Sequence, residues 1–453
     1  MMRYLTALQF LVACLSTSAS ASITSRQSGG LPAVEVRGNA FFAGNERFYV
    51  RGVAYQPGGA ADAADPLTDI PSLKRDIENF KKLGINTIRV YTIDNSKNHD
   101  EAMKLLDDAG IYLALDANTP KYSLNRESKA ALHASYNDVY LQSVFATIDA
   151  FAGYNNLLLF FSGNEVINDN NNTHAATYIK AVTRDMKQYI SNRASRLIPV
   201  GYSSADVAEN IEEQALYFNC GTDDERADFF AFNDYSWCDP SSFTTSGWDK
   251  KVKTYSDYSI PLFLSEFGCI TNTRKWGEIA SLYSTNMTSV YSGGIVYEYT
   301  VEPNGYGLVE VGANGNIEPN DDFDRLATAY KKTLNPTGNG GFKENGTPSE
   351  CPPQREGWDV EGTLLPSIPK LAVKYMSQGA GEGPGLKGKG SQWAGTPSES
   401  EATPGSGNPS KTPSGAAAAS TAGAANSAAM EAIHFGFLVM LAASSIFGAI
   451  LIL

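Results

Sequence analysis

The chain has 453 residues, 42% of them hydrophobic, and a formal net charge of −13. This acidic balance argues against nucleic acid as a partner, because binding phosphates requires clustered Lys and Arg. A neutral polymer such as a glucan fits the charge better. The length suits about three average domains, or one α/β barrel of ~250 residues or more with additions at its ends.

The amino terminus has the pattern of a secretory signal. Arg3 precedes an apolar run over residues 5–15, and Ala19-Ser20-Ala21 is a small-residue cleavage site. The run is too short for the ~20 residues that span a bilayer. We therefore expect residues 1–21 to be removed and the mature chain to be secreted.

Eight short apolar segments alternate with helical stretches from residue 47 to about residue 332. The predicted strands cover residues 48–56, 86–94, 112–118, 157–165, 198–205, 227–237, 260–268 and 293–300. Eight strands with helices between them favour a closed parallel (β/α)8 TIM barrel within residues 22–335. An open doubly wound sheet is the alternative.

Beyond the barrel, the chain becomes rich in Gly and Pro. Residues 393–426 hold little besides Ser, Thr, Gly, Pro, Ala and a few charges, a composition that predicts a disordered, O-glycosylated stalk. Residues 336–392 differ, because they keep enough apolar side chains to pack on the barrel as a C-terminal extension. These are Trp358, Leu364, Leu365, Ile368, Leu371, Val373, Tyr375 and Met376.

The carboxyl terminus is apolar from Phe435 to Leu453, with no Lys or Arg after it. A retained membrane helix would usually keep basic residues on its cytosolic side. Small residues near Gly423 or Asn426, a short spacer and the apolar tail instead predict a GPI-anchor signal over residues 427–453. The mature protein would then be held by lipid on the outer face of the plasma membrane, or in the cell wall.

Four cysteines remain once Cys14 leaves with the secretory signal, and they allow three pairings. Cys238 follows the sixth predicted strand and Cys269 the seventh, so both lie on one rim of the barrel and are expected to pair. Cys220 would then pair with Cys351 and tie the extension to the barrel. Asn171, Asn286 and Asn345 begin glycosylation triplets.

Two glutamates end two of the apolar strands. Glu165 ends the fourth strand and Glu266 the seventh, and an α/β barrel builds its active site at these ends. A single Glu is usually solvated or ion-paired. Two carboxyl groups ~5–5.5 Å apart, however, are what a retaining glycosidase uses.

Other strand-end residues suit a sugar site. The Asn164 amide is placed to bond the sugar 2-hydroxyl, whereas Asp116 fits either a polar site or a helix cap. Six aromatic residues follow the strands, and about half should be core because strand residues alternate sides. They are Tyr55, Tyr91, Tyr235, Trp237, Tyr297 and Tyr299.

Three other patterns carry little weight. The glycine motif over residues 383–388 follows no strand, and residues 201–205 only half match a nucleophile elbow. His99, His133 and His174 lack metal-ligand spacing. We predict neither a metal nor a cofactor.

Over residues 31–392 the chain resembles the fungal cell-wall β-1,3-glucanosyltransferases, glycoside hydrolase family 72, in its short form. The motifs that carry the resemblance are Arg51-Gly52-Val53-Ala54-Tyr55-Gln56-Pro57-Gly58-Gly59, Asn86-Thr87-Ile88-Arg89-Val90-Tyr91, Gly163-Asn164-Glu165, Tyr235-Ser236-Trp237-Cys238, Ser265-Glu266-Phe267-Gly268-Cys269 and Tyr297-Glu298-Tyr299.

The resemblance implies a role for each matching residue. Glu165 would be the acid/base and Glu266 the nucleophile. Asp116 and Tyr306 would border the donor and acceptor subsites, and the sugar at the cleavage point would contact Gln56, Tyr91, Asn164, Tyr235 and Tyr297. The implied reaction cleaves a β-1,3-glucan internally and transfers the new end to the non-reducing end of another glucan.

The sequence departs from the family pattern in two places. Many members carry an early third disulfide, but its positions here are Leu73 and Ala102. Loss of such a bridge costs ~2–5 kcal/mol unless packing compensates. Some members also carry a second, cysteine-rich carbohydrate-binding domain, and we expect the shorter form here because only Cys351 follows the barrel.

Two other functions stay open at this point. A secreted endo-β-1,3-glucanase would use the same glutamates, with water in place of the acceptor sugar. A non-catalytic, wall-anchored glucan-binding protein is disfavoured, because an inactive barrel has no physical reason to keep both carboxylates.

Overall fold

The structure is a computed structural model that describes residues 30–60, 63–362 and 364–400. Eight parallel strands form a closed barrel, so the doubly wound alternative is wrong. The barrel strands are β4 (Val50–Ala54), β5 (Thr87–Val90), β6 (Tyr112–Asp116), β7 (Leu157–Asn164), β8 (Val200–Ala205), β9 (Phe229–Asn233), β10 (Leu262–Phe267) and β11 (Tyr291–Val296). Their order around the barrel is β10-β11-β4-β5-β6-β7-β8-β9.

Helices follow the strands along the chain. They are α1 (Ile70–Leu83), α2 (Asp100–Asp108), α3 (Lys129–Ser135), α4 (Asp138–Phe151), α5 (Ala176–Arg193), α6 (Ile211–Phe218), α7 (Trp248–Thr254), α8 (Gly277–Leu282), α9 (Asp321–Lys332) and α10 (Tyr375–Gln378), with 3-10 turns at Asn170–Ala175 and Lys370–Ala372. Local chemistry sets the ends of α1. The Asp69 side chain accepts a hydrogen bond from the Ser72 N–H, and Gly84 ends the helix at a φ of 74°.

A small antiparallel sheet precedes the barrel and was not predicted. It consists of β1 (Val34–Arg37), β2 (Ala40–Ala43) and β3 (Glu46–Phe48). Phe41 of this sheet packs against Phe229 and Phe263 at ring-centroid distances of 6.2 and 5.9 Å. Because these two residues begin or nearly begin their strands, Phe41 closes the amino-terminal end of the barrel.

The predicted strands run past the observed ones, mainly at their carboxyl ends. The second was predicted to reach residue 94 and the sixth residue 237, whereas β5 ends at Val90 and β9 at Asn233. The apolar and aromatic residues beyond these ends belong to loops at the barrel mouth. A pair of short strands, β12 (Val309–Val311) and β13 (Ile317–Pro319), forms a hairpin after β11.

Both predicted disulfides are present. Cys238 pairs with Cys269, and Cys220 pairs with Cys351, each with a Cα–Cα distance of 5.1 Å. Within the extension, Trp358, Leu365 and Met376 are buried, while Leu364 and Leu371 remain exposed. Ile368, Val373 and Tyr375 are partly buried.

The extension continues past its predicted boundary at residue 392. Residues 393–400, assigned to the stalk, are held on the folded chain: the Thr396 N–H donates to Asp138 Oδ1 and Ser398 bonds Ser367. The observed boundary differs from the predicted one because polar side chains here are buried with hydrogen-bond partners, and composition does not reveal such contacts. The predicted signal over residues 1–21, the remaining stalk and the anchor signal lie outside the described residues.

Helix packing occupies the place of the early disulfide. Leu73 in α1 and Ala102 in α2 are both fully buried in the core. Elsewhere, Asn171, Asn286 and Asn345 are all exposed, as glycosylation requires, and they remain predictions. No helix within the described residues combines the length and the apolarity needed to cross a membrane.

Candidate active site

Glu266 reaches the barrel mouth because strand β10 is irregular. Phe263 faces the barrel interior and Leu264 the surrounding helices, so strict alternation would turn Glu266 toward the helices. The pairing of β10 with β9 shifts register between Leu264 and Glu266. This bulge turns the carboxylate back toward the interior.

Both carboxylate oxygens of Glu266 accept hydrogen bonds. Tyr91 donates to Oε1 at 2.8 Å and Tyr235 to Oε2 at 2.8 Å. Arg89 Nη1 also donates to Oε1, at 3.3 Å. Burial raises the pKa of Glu266 to about 7, with Arg89 opposing the rise and Glu165 adding to it. Burial also raises the pKa of Tyr91 and of Tyr235 well above the usual range, so both stay protonated donors.

Glu165 follows strand β7 with a φ of 47°, in the left-handed region that L residues rarely occupy. Its N–H donates to the Ser203 carbonyl at 2.9 Å, and its carbonyl accepts from Arg126 at 2.5 Å. The Asn233 amide donates to its carboxylate at 2.8 Å. Backbone strain held by contacts on both sides is typical of functional sites.

Arg89 joins Glu266 to Asn164, the residue before Glu165, and was missed as a site residue. Its side chain is fully buried between the rings of Tyr91 and Phe161, at 4.4 and 4.3 Å from their centroids. It donates to both oxygens of Asp116 and to Asn164 Oδ1, in addition to Glu266. One guanidinium therefore fixes side chains from three other strand ends.

Three hydrogen bonds to its side-chain oxygen orient Asn164. Oδ1 accepts from Arg89 at 2.9 Å, from Ser203 at 2.7 Å and from Asn233 at 3.1 Å. Its amide nitrogen makes no hydrogen bond to any described residue, so it is available to donate to a sugar hydroxyl. Ser265, Ser203 and Asn233 were also missed, and they form one hydrogen-bonded layer below the two glutamates.

Four tyrosines form one wall of the site. Tyr306 packs edge-on against Tyr235 and Tyr297, at centroid distances of 5.5 and 5.4 Å, and Tyr91 lies 6.5 Å from Tyr297. These rings offer apolar edges and hydroxyl groups beside Glu266, a surface suited to a sugar.

Two predicted sugar contacts are engaged within the protein. The Gln56 oxygen accepts from the Tyr91 and Thr92 N–H groups, both at 3.1 Å, and its nitrogen donates to the Ala64 carbonyl. Gln56 thus fixes the backbone that carries Tyr91. Both carboxylate oxygens of Asp116 accept hydrogen bonds from Arg89. Burial raises the pKa of this carboxyl, although Arg89 opposes the rise.

The expectation that about half of the strand-end aromatics are core is confirmed. Tyr55 and Tyr299 both donate to Asp76 and pack on Phe80. Trp237 is buried against Trp248. Only Tyr91, Tyr235 and Tyr297 of the six reach the site.

Two residues from the patterns given little weight, Gly201 and His99, have structural explanations. Gly201 lies in β8, where a Cβ would come within 2.2 Å of the Phe229 carbonyl, so glycine is needed for close strand packing. His99 is buried with its Nε2 2.7 Å from Asp65. Among the described residues, no group of three or more His, Cys, Asp or Glu side chains is placed to hold a metal.

Sequence reasoning overlooked Arg89 despite a usable signal. The residue is a cation within the four-residue apolar strand β5, between Ile88 and Val90. A charge there must be paired, because burying an isolated ion is costly. Its partners belong to other strands and only the closed barrel brings them together.

Comparison with known proteins agrees with this geometry. The Glucanosyltransferase model of glycoside hydrolase family 72 matches residues 23–334. The 1,3-beta-glucanosyltransferase gel1 of Aspergillus fumigatus is 62% identical over 356 residues, 78% of each chain. The 1,3-beta-glucanosyltransferase GAS5 of Saccharomyces cerevisiae is 51% identical over 84% of this chain and 78% of its own.

A solved structure also matches closely. A mutant of Saccharomyces cerevisiae Gas2p in complex with laminaritetraose and laminaripentaose superimposes with a TM-score of 0.69 at 37% identity, and the match covers 76% of each chain.

Proposed function

Because this chain belongs to glycoside hydrolase family 72, the glucanosyltransferases, we propose that it is a retaining β-1,3-glucanosyltransferase. It cleaves a β-1,3-glucan internally and transfers the new end to the non-reducing end of a second glucan, which elongates that chain. The observation that carries this proposal is Glu266, an oriented carboxylate that accepts from Tyr91, Tyr235 and Arg89.

In the first step, a Glu266 oxygen attacks the anomeric carbon. Glu165, as a carboxylic acid, gives its proton to the glycosidic oxygen of the leaving fragment. The products are a covalent glycosyl-enzyme ester on Glu266 and a glucan fragment with a new non-reducing end.

Geometry supports these roles, although the raised pKa of Glu266 alone would suit a proton donor. Two tyrosine hydroxyls and a guanidinium all point at its oxygens, and together they favour the anion. Glu165 is half-buried at the rim, where proton exchange with the leaving group and the acceptor is possible.

In the second step, Glu165 acts as a base. It takes the proton from the 3-hydroxyl of the acceptor as that oxygen attacks the anomeric carbon, and Glu266 leaves as a carboxylate. A new β-1,3 bond forms with the original configuration.

The surrounding side chains are assigned accordingly. The free Asn164 amide would bond the 2-hydroxyl of the reacting sugar, and Tyr297 and Tyr306 would contact neighbouring sugars. Gln56 and Asp116 would act through Tyr91 and Arg89, because their polar atoms are bonded within the protein.

Product length tests the activity. Purified protein incubated with one β-1,3-gluco-oligosaccharide should give products both shorter and longer than the starting chain. If only shorter products form at every acceptor concentration, the enzyme is an endo-β-1,3-glucanase. If no product forms but the oligosaccharide binds, it is a glucan-binding protein.

We further propose that the mature enzyme is attached by a GPI lipid to the outer face of the plasma membrane. The C-terminal sequence after Gly423 or Asn426 supports this, and so do two disulfides, which form outside the reducing cytosol. Release of the enzyme from intact cells by a phosphatidylinositol-specific phospholipase would test it. Retention in the membrane fraction after that treatment would favour a protein span.

A further inference from the structure

Trp393 is the one exposed tryptophan of the chain. All five tryptophans lie within the described residues, and the other four are at most 7% exposed, whereas Trp393 is 76% exposed. Trp is enriched at binding surfaces, because its indole combines a large apolar face with one hydrogen-bond donor.

The segment that carries Trp393 is held against the mouth of the barrel. We name residues 385–397 the rim strap, because its contacts with the mouth loops begin at Gly385 and end at Pro397. The Gly385 N–H donates to Asn95 Oδ1 at 2.9 Å, and the Ser391 N–H donates to the Lys121 carbonyl at 2.9 Å. Asn95 and Lys121 belong to the loops that leave the carboxyl ends of β5 and β6, so the rim strap lies on the face where the active site opens.

Trp393 itself is bracketed by anchors. The Gln392 amide donates to the Ser123 carbonyl at 2.7 Å, and the Thr396 N–H donates to Asp138 Oδ1 at 2.5 Å. The Asn137 amide donates to the Ser391 carbonyl at 2.7 Å. The indole therefore stands on a fixed backbone.

The loop beneath Trp393 also contacts the acid/base. Arg126 donates to the Glu165 carbonyl at 2.5 Å, and Asn118 donates to the Ser162 carbonyl of the strand that carries Glu165. Ser123, the partner of Gln392, lies between these two residues in the chain. The loop from Ser123 to Arg126 thus supports both the segment that carries Trp393 and the strand end that carries Glu165.

We propose that Trp393 is a glucan-binding platform outside the cleavage point, on which a glucose ring of a long β-1,3-glucan stacks. This inference rests on the proposed function. A neutral sugar presents an apolar C–H face, which an indole covers without any charge pairing. Polymer chains reach Trp393, and short oligosaccharides confined to the catalytic centre do not.

Kinetics over a ladder of β-1,3-gluco-oligosaccharides tests the platform. In the full chain, Trp393→Ala should lower kcat/KM about tenfold for the longest substrates and leave the shortest productive substrate unchanged. Trp393→Phe, which keeps a ring, should restore part of the loss. The matched control is Leu197→Ala, because Leu197 is 77% exposed and precedes β8 on the opposite face of the barrel.

Fluorescence supplies a second readout. Iodide should quench Trp393 selectively, and a saturating long oligosaccharide should remove that quenching in the Glu165→Gln variant, which cannot turn it over. Equal losses of kcat/KM at every length, or none at any length, would overturn the platform. Iodide quenching that is absent before sugar is added would also overturn it, because another part of the chain would then cover the indole. None of these results depends on whether the products are longer or shorter than the substrate, so the proposed function stands or falls separately.

Discussion

The lower and upper halves of the barrel interior are filled by opposite kinds of side chain. The lower half holds Phe41, Phe161, Phe229 and Phe263, all completely buried, with ring centroids 5.4 to 6.2 Å apart. The upper half holds ions and amides grouped around Arg89. Strands β7, β9 and β10 supply side chains to both layers, whereas Phe41 comes from β2 and Arg89 from β5.

The contrast separates stability from chemistry. The phenylalanine layer is closely packed apolar core, and its contribution is to the free energy of unfolding. The polar layer has its hydrogen bonds arranged around two carboxylates, which favours function at some expense of stability. Substitutions in the upper layer should therefore lower kcat, and substitutions in the lower layer should lower the free energy of unfolding.

The largest effect is expected in the upper layer. Glu266→Gln keeps the shape of the side chain but removes the nucleophile, so kcat should fall by about 10⁴-fold or more. Steady-state release of products from a β-1,3-gluco-oligosaccharide measures the loss. Binding of the same oligosaccharide should persist, because the tyrosine wall is intact.

The Tm difference between Glu266→Gln and the wild type should depend on pH. Burial raises the pKa of Glu266 to about 7, above its ordinary value, so the wild type loses stability from this group as pH rises from ~4.5 to ~7. Glu266→Gln should then raise Tm by about a few degrees at neutral pH and by less near pH 4.5. An equal Tm change at both pH values would contradict the raised pKa, and wild-type turnover would contradict the nucleophile.

A substitution in the lower layer should lower stability and leave kcat almost unchanged. Phe229→Ala removes the ring that contacts Phe41, Phe161 and Phe263, and it should lower the free energy of unfolding by about 3–5 kcal/mol. Urea unfolding measures the loss. The folded fraction should keep kcat within about threefold of wild type at low temperature, and a hundredfold loss of kcat in fully folded protein would erase the division between the layers.

The smallest expected effect concerns proton affinity. Tyr235→Phe removes a donor that lowers the pKa of Glu266, so the acidic limb of the kcat/KM profile should move to higher pH by about one unit. Tyr299→Phe is the matched control, since Tyr299 donates to Asp76 within the core. A limb that stays in place for Tyr235→Phe, or moves equally for both variants, would mean that Tyr235 does not tune Glu266.

The sequence by itself determined much of this protein. Eight apolar segments at barrel spacing, two of them ending in Glu, predicted the fold and the pair of carboxylates. The positions of Cys238 and Cys269 after adjacent strands predicted their bond. Such features are local, because strand periodicity and strand-end position are properties of a few consecutive residues.

Tertiary structure decided the rest. Alternation along β10 would send Glu266 toward the helices, and only the register shift against β9 brings it inside. Arg89 bonds residues 27, 75 and 177 positions away. The sequence around Arg89 does not predict these partners. Gln56 and Asp116 bond Tyr91 and Arg89 only in the closed barrel, and their sequence positions do not reveal these partners. Pairing between distant strands sets which atoms meet, and that is a property of the barrel, not of any one segment.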